Sequence, residues 1–168
     1  DMMFVDEDGT AKSYQKVSDT DGGFEGVLHD GVEFGRAISK IGDLDNDGIM
    51  DIAVGADSTD DGGQERGAVY IIFLNDDGTA KSFQKISDTA GGFDGVLHDG
   101  DRLRAVVGKS GDLDIDGIMD IADGADGSDD GGLHRGAFHF IILIYDLTAQ
   151  LCPNLCAPAV GFVGALRT

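Results

Sequence analysis

The residues whose types and spacing point most directly to chemistry lie in two nine-residue runs, Asp43-Leu-Asp-Asn-Asp-Gly-Ile-Met-Asp51 and Asp112-Leu-Asp-Ile-Asp-Gly-Ile-Met-Asp120. Both read Asp-x-Asp-x-Asp-Gly-x-x-Asp. Carboxylates at positions 1, 3 and 5 (Asp43, Asp45, Asp47 and Asp112, Asp114, Asp116) turn inward when the backbone curls around an ion. Gly48 and Gly117 permit the sharp bend with positive φ. Ile49 and Ile118 offer a carbonyl oxygen and anchor their side chains in apolar surroundings, while Asp51 and Asp120 close the shell. Donors that are all oxygen select calcium over zinc or copper, and about two such sites are expected. An EF-hand is a poor alternative. Its twelfth position requires a bidentate Glu, and Val54 and Asp123 stand there instead.

The elements that position these loops repeat with them. Shifted by 69 residues, the chain matches itself at 44 of the 69 positions from Asp6 onward without a gap, the signature of a repeat architecture. Asp8-Gly-Thr-Ala-Lys-Ser13 returns as Asp77-Gly-Thr-Ala-Lys-Ser82, and Gly26-Val-Leu-His-Asp-Gly31 as Gly95-Val-Leu-His-Asp-Gly100. Each unit reads as strands and turns, with no sustained helical period. Phe34 to Ile41 alternates loosely before the loop, and Ile52-Ala-Val54 follows it as a short strand. Ala68-Val-Tyr-Ile-Ile-Phe-Leu74 is apolar on both faces, which predicts a strand buried on both sides. Asp76-Asp-Gly78 predicts a hairpin into Lys81-Ser-Phe-Gln-Lys-Ile86. Four short antiparallel strands per unit describe a propeller blade.

Phe34-Gly35, Gly42 to Asp51, Ile52-Ala-Val-Gly-Ala56 and Gly67-Ala-Val-Tyr70, taken in order, resemble the FG-GAP repeat, the blade unit of integrin α-subunit propellers and of secreted bacterial proteins. The resemblance covers nearly all of residues 1–146. It implies an all-β fold of four-stranded blades and a calcium ion between the first two strands of each, held by Asp43, Asp45, Asp47, the Ile49 carbonyl and Asp51, and by Asp112, Asp114, Asp116, the Ile118 carbonyl and Asp120. Residues 1–33 then carry the last strands of one blade and a connector, 34–102 a full repeat, 103–146 a second, and 147–168 a non-repeating apolar tail. Some positions depart from the pattern. Asp57 and Asp126 replace a proline, Leu103-Arg104 replaces Phe-Gly, and Asp123 stands where the first unit has Val54. A buried acid is costly unless paired, so the face bearing Asp123 is expected to be open to solvent or to another ion.

About two to two and a half blades make an open, incomplete propeller, since closure needs at least four. Its ends should expose strand edges and apolar faces, to be covered by further repeats of a longer chain or by identical copies joined head to tail. A formal charge of −20 excludes electrostatically driven nucleic-acid binding and disfavours anionic membranes. The apolar stretch from Ala157 to Leu166 is too short to span a bilayer of ~30 Å and suits a strand inserted into a neighbouring molecule. Cys152 and Cys156 fit either a short-range disulfide or two free thiols.

Catalysis finds no support in the residues. His29-Asp30 and His98-Asp99, near Ser18 and Ser87, recur in both units between glycines, as turn residues do. The histidines and cysteines lack zinc spacing, and the Gly-Gly pairs lack the Lys and helix start of a phosphate loop. The expectation is a non-enzymatic, extracellular or cell-surface structural or adhesive protein, self-associating into a fibre. The alternatives are a fragment of a larger propeller that binds a protein or glycan, or an accessory propeller of a secreted hydrolase.

Overall fold

A computed structural model describes residues 2–104, 109–129, 131–133, 135–143 and 163–165, with backbone alone for 104, 109, 110 and 163–165. The described residues contain strands and turns and no helix. Expectations that fall on Cys152, Cys156 and most of the 147–168 tail lie outside them.

The first two strands, β1 (Met2–Val5) and β2 (Ala11–Gln15), form an antiparallel hairpin. β3 (Ile38–Gly42), β4 (Asp51–Ala56), β5 (Ala68–Leu74) and β6 (Ala80–Ser87) form a four-stranded antiparallel sheet in chain order. The last sheet holds β7 (Leu103–Arg104), β8 (Lys109–Gly111), β9 (Asp120–Ala125), β10 (Ala137–Ile141) and β11 (Val163–Ala165). β7 and β8 both pair with β9, and together they take the place that β3 has beside β4. The repeat preserves register as well as residues. Met2 faces Gln15 as Ile71 faces Gln84, and both hairpins break register just before the turn. Those turns are closed alike, by Thr10 N–H donating to Asp8 Oδ1 and Thr79 N–H to Asp77 Oδ1, each at 2.9 Å.

The apolarity of β5 on both faces has its cause in the packing. Val69, Ile71 and Phe73 point to one side, into a core shared with Leu103, Ile118, Ile121 and Ile141 of the following unit. Tyr70, Ile72 and Leu74 point to the other, into a core that takes in Phe24, Val17 and Met2 from the preceding one. The middle sheet is thus sandwiched, and each fully buried Val or Ile contributes about 1.5–3 kcal/mol of transfer free energy. An acid at Ile71 would break this packing.

Connectors stitch neighbouring sheets together. Phe24, which follows β2, lies edge-on to Tyr70 at 5.7 Å, and Ala80 N–H donates to the Gly22 carbonyl at 2.7 Å. The segment leading into β7 runs along the loop before β5. Gly100, Arg102 and Leu103 N–H donate to the carbonyls of Gln64, Glu65 and Arg66, and the Arg102 guanidinium pairs with Glu65. Gly67 is required at this crossing. Its φ is +82°, and a Cβ there would lie 2.2 Å from the Leu103 carbonyl oxygen.

Two expectations are corrected. The face bearing Asp123 is closed: Asp123 is 1% exposed and sits directly opposite buried His139 in the β9–β10 register, with Phe93 edge-on to the imidazole at 5.9 Å. The first unit has Val54 opposite Tyr70 at these positions, with Phe24 in the part of Phe93. Directly opposed residues have Cβ atoms about 4.5–5.5 Å apart. The tail, for its part, does not leave the chain as a free strand throughout. Val163–Ala165 pair antiparallel with β10, where β6 stands beside β5.

Candidate metal-binding loops

Each acidic run forms the bend between the strand that ends at Gly42 or Gly111 and the strand that begins at Asp51 or Asp120. Five backbone-to-carboxylate hydrogen bonds build the first loop, and their counterparts build the second. Asp47 N–H and Gly48 N–H donate to the two oxygens of Asp43 at 3.0 and 2.9 Å. Ile49 N–H donates to Asp47 Oδ1 at 2.8 Å, Leu44 N–H to Asp51 Oδ2 at 2.8 Å, and Leu74 N–H to Asp51 Oδ1 at 3.1 Å. In the second loop Asp116 and Gly117 donate to Asp112 at 3.0 and 2.9 Å, and Ile118 to Asp116 at 2.8 Å. Leu113 and Leu143 donate to Asp120 at 2.6 and 3.0 Å. A carboxylate presents about four lone-pair sites, so these bonds orient the acids without exhausting them.

The glycine bends have φ of +90° at Gly48 and +93° at Gly117, as the sharp turn requires. Position 4 is also left-handed, at +59° for Asn46 and +65° for Ile115. Asn tolerates that region, whereas a β-branched residue there is strained. The side chain of Ile118 is buried in the core between the sheets, and Ile49 packs against the core on the other side.

Three carboxylates converge in each loop. Asp43, Asp45 and Asp51 bring oxygens within 4.8 Å of one another, as do Asp112, Asp114 and Asp116. Asp47 stands apart from the first triad and Asp120 from the second. The donor set, hard oxygens of high negative charge, is one that could hold a divalent cation. Asp51 and Asp120 are almost fully buried. Burial pushes both carboxyls up from the usual range, the N–H groups of Leu44 and Leu74 (Leu113 and Leu143 in the second loop) pull them back in part, and the neighbouring aspartates add to the rise.

Two features of the site escape sequence reasoning. Asp51 and Asp120 are struts as well as candidate ligands, tying the loop to the end of the third strand 23 residues away. Lys81, on β6, places Nζ 2.7 Å from both Asp45 Oδ2 and Asp47 Oδ2. These two bonds raise the Lys81 pKa, and the same ammonium holds the Asp47 carboxyl below its ordinary value. The one available signal was recurrence, since Lys12 and Lys81 occupy the same place in successive units.

Several residues of the histidine, serine and acidic turns take part in local hydrogen bonds and bridges. Ser18 and Ser87 lie in isolated bridges to Asp21 and Ala90. His98 N–H donates to Asp101, Ser87 Oγ to Asp61, and Glu65 N–H to Asp60. No helix among the described residues is long and apolar enough to cross a membrane.

Residues 34–72, from the turn before β3 to the middle of β5, match the FG-GAP repeat model. Integrin alpha-4 of Xenopus laevis is 37% identical over 103 residues, 61% of this chain. The match spans only 9% of that relative's length.

Proposed function

We propose, from the match of residues 34–72 to the FG-GAP repeat model, that the chain is a run of calcium-stabilised blades from an integrin-like β-propeller, a non-catalytic recognition or adhesion module of the cell surface or extracellular space. The blades divide as 1–33, 34–102 and 103–146. The observation that carries the proposal is the duplication of all five loop hydrogen bonds around converging carboxylates. A loop built twice to the same plan, with its charges turned inward, has its simplest explanation in an ion. Calcium would be held by Asp43, Asp45, Asp47, Asp51 and the Ile49 carbonyl, and by Asp112, Asp114, Asp116, Asp120 and the Ile118 carbonyl. It would neutralise carboxylates that otherwise repel one another.

With a Kd of about 10⁻⁴ M and ~1 mM calcium, each site adds about 1.4 kcal/mol by mass action. Thermal unfolding in calcium and in chelator tests this. A rise of several degrees in calcium, larger than in equal magnesium, is expected, and coincident curves would contradict it.

A second reading, self-association into a fibre, draws on the two outer faces. Met3, Val5 and Tyr14 are exposed at one end, and Phe138, stacked edge-on with Phe140, at the other. Large exposed apolar groups gathered on a sheet face mark contact surfaces. Sedimentation velocity in calcium distinguishes the readings: a monomer across a wide concentration range excludes the fibre.

A further inference from the structure

The two acidic loops share their backbone plan. The first is met by a cation belonging to the chain itself. Lys81 Nζ bridges Asp45 Oδ2 and Asp47 Oδ2 at 2.7 Å each, reaching across from the fourth strand of the same sheet, 36 and 34 residues further along. Its position is set by the β5–β6 register, which places Ala80 opposite Leu74, and Leu74 N–H is itself held by Asp51 of the loop. The lysine is therefore delivered to the loop by the sheet that carries the loop. One repeat later the same position is Gln150, which brings no charge and lies outside the described residues. The carboxylate groupings also differ. Asp116 belongs to the triad of the second loop, whereas its counterpart Asp47, held by Lys81, stands outside the triad of the first.

We propose that Lys81 is a tethered competitor of the metal ion, an internal ammonium that stands in for part of the cation's charge and sets the calcium affinity of the first loop. The inference rests on the calcium reading above and adds to it a division of labour between loops. A divalent ion entering the first loop must displace the ammonium from two carboxylates, or share those carboxylates with it at the cost of like-charge repulsion. Ligand charge count is a main determinant of affinity in such sites, and Lys81 lowers the effective count. In return the first loop keeps its shape when calcium is scarce, because Asp45 and Asp47 already have a counter-ion. Lys81 is a positioning and affinity-setting residue and not itself a ligand.

The test is a calcium titration of the whole chain followed by amide NMR. The Gly48 and Gly117 N–H groups report the two loops separately, since each donates to the first aspartate of its own loop. In Lys81→Gln the Gly48 midpoint is expected to fall roughly tenfold while the Gly117 midpoint stays put. Lys81→Arg, which keeps the charge, should leave both near wild type. Lys81 is partly exposed, so neither variant threatens the core. An unchanged Gly48 midpoint in Lys81→Gln, or an equal shift at both glycines, would overturn the role of Lys81 and leave the calcium reading intact. Silence of both glycines towards calcium in every protein would sink the calcium reading and the inference together.

Discussion

Asp51→Ala is the perturbation whose cost follows most directly from the geometry. The Asp51 side chain is fully buried, and each of its oxygens accepts one backbone N–H, from Leu44 at 2.8 Å and from Leu74 at 3.1 Å. Truncation leaves both donors without an acceptor. A buried N–H that loses its partner costs about 1–3 kcal/mol. Leu74 N–H is buried and belongs near the upper figure; Leu44 N–H is half-buried, within reach of water, and belongs near the lower. The total is about 2–4 kcal/mol, a large share of a domain stability of about 5–15 kcal/mol. Urea unfolding followed by circular dichroism, with a chelator present, isolates this strut from any metal contribution. Asp51→Asn keeps one acceptor and should lose about half as much, and Asp120→Ala should behave as Asp51→Ala does. If Asp51→Ala in chelator unfolds within about 0.5 kcal/mol of wild type, the size of an ordinary surface substitution, the carboxylate is no strut and the account of the loop is wrong.

Four further outcomes are expected. Ile115→Asn relieves a β-branched residue at φ +65° and should stabilise the second loop by about 1 kcal/mol in urea unfolding; a destabilised variant would argue against strain there. The double variant Asp123→Val/His139→Tyr, which installs the apolar pair of the first unit, should match or exceed wild-type stability by up to about 1–4 kcal/mol. Asp123→Val alone should fall below the double, and equal stabilities would show that the two positions are uncoupled. In chelator, the raised carboxyls of Asp51 and Asp120 make the folded state hold protons more tightly than the unfolded chain does. Their contribution is therefore complete below the ordinary value of 3.8 and is lost as pH climbs through their raised values; the wild type should show this decline relative to Asp51→Asn/Asp120→Asn, and parallel pH profiles would refute it. Phe138→Glu should disperse any calcium-dependent assembly seen by sedimentation, and persistence of that assembly would remove the apolar end face from the explanation.

The loops were legible in the sequence because their chemistry is local: donor type, spacing and the bend-forming glycine all fall within nine residues, and the second copy repeats them. The burial of β5 was legible for a related reason, since a run apolar on both faces has one natural home, between two sheets. The features that stayed hidden depend on register. Lys81 meets Asp45 and Asp47 only because β6 is aligned on β5 as it is. His139 stands opposite Asp123 only through the β9–β10 pairing, and without that register the acid reads as a sign of an open face. The left-handed backbone at position 4 was half visible, since Asn46 advertises it and Ile115 conceals it. The short pairing of Val163–Ala165 with β10 takes the place that β6 has beside β5, but its residues do not repeat those of β6, so no internal comparison could announce it.

The account rests on the acidic bends taking up calcium, and the direct measurement is the number of ions bound. Equilibrium dialysis of the chain against radiolabelled calcium should show saturable uptake of about two ions by millimolar concentrations, one of them lost in Asp112→Asn/Asp114→Asn. No saturable uptake in that range, by a chain that circular dichroism shows to be folded, would contradict it.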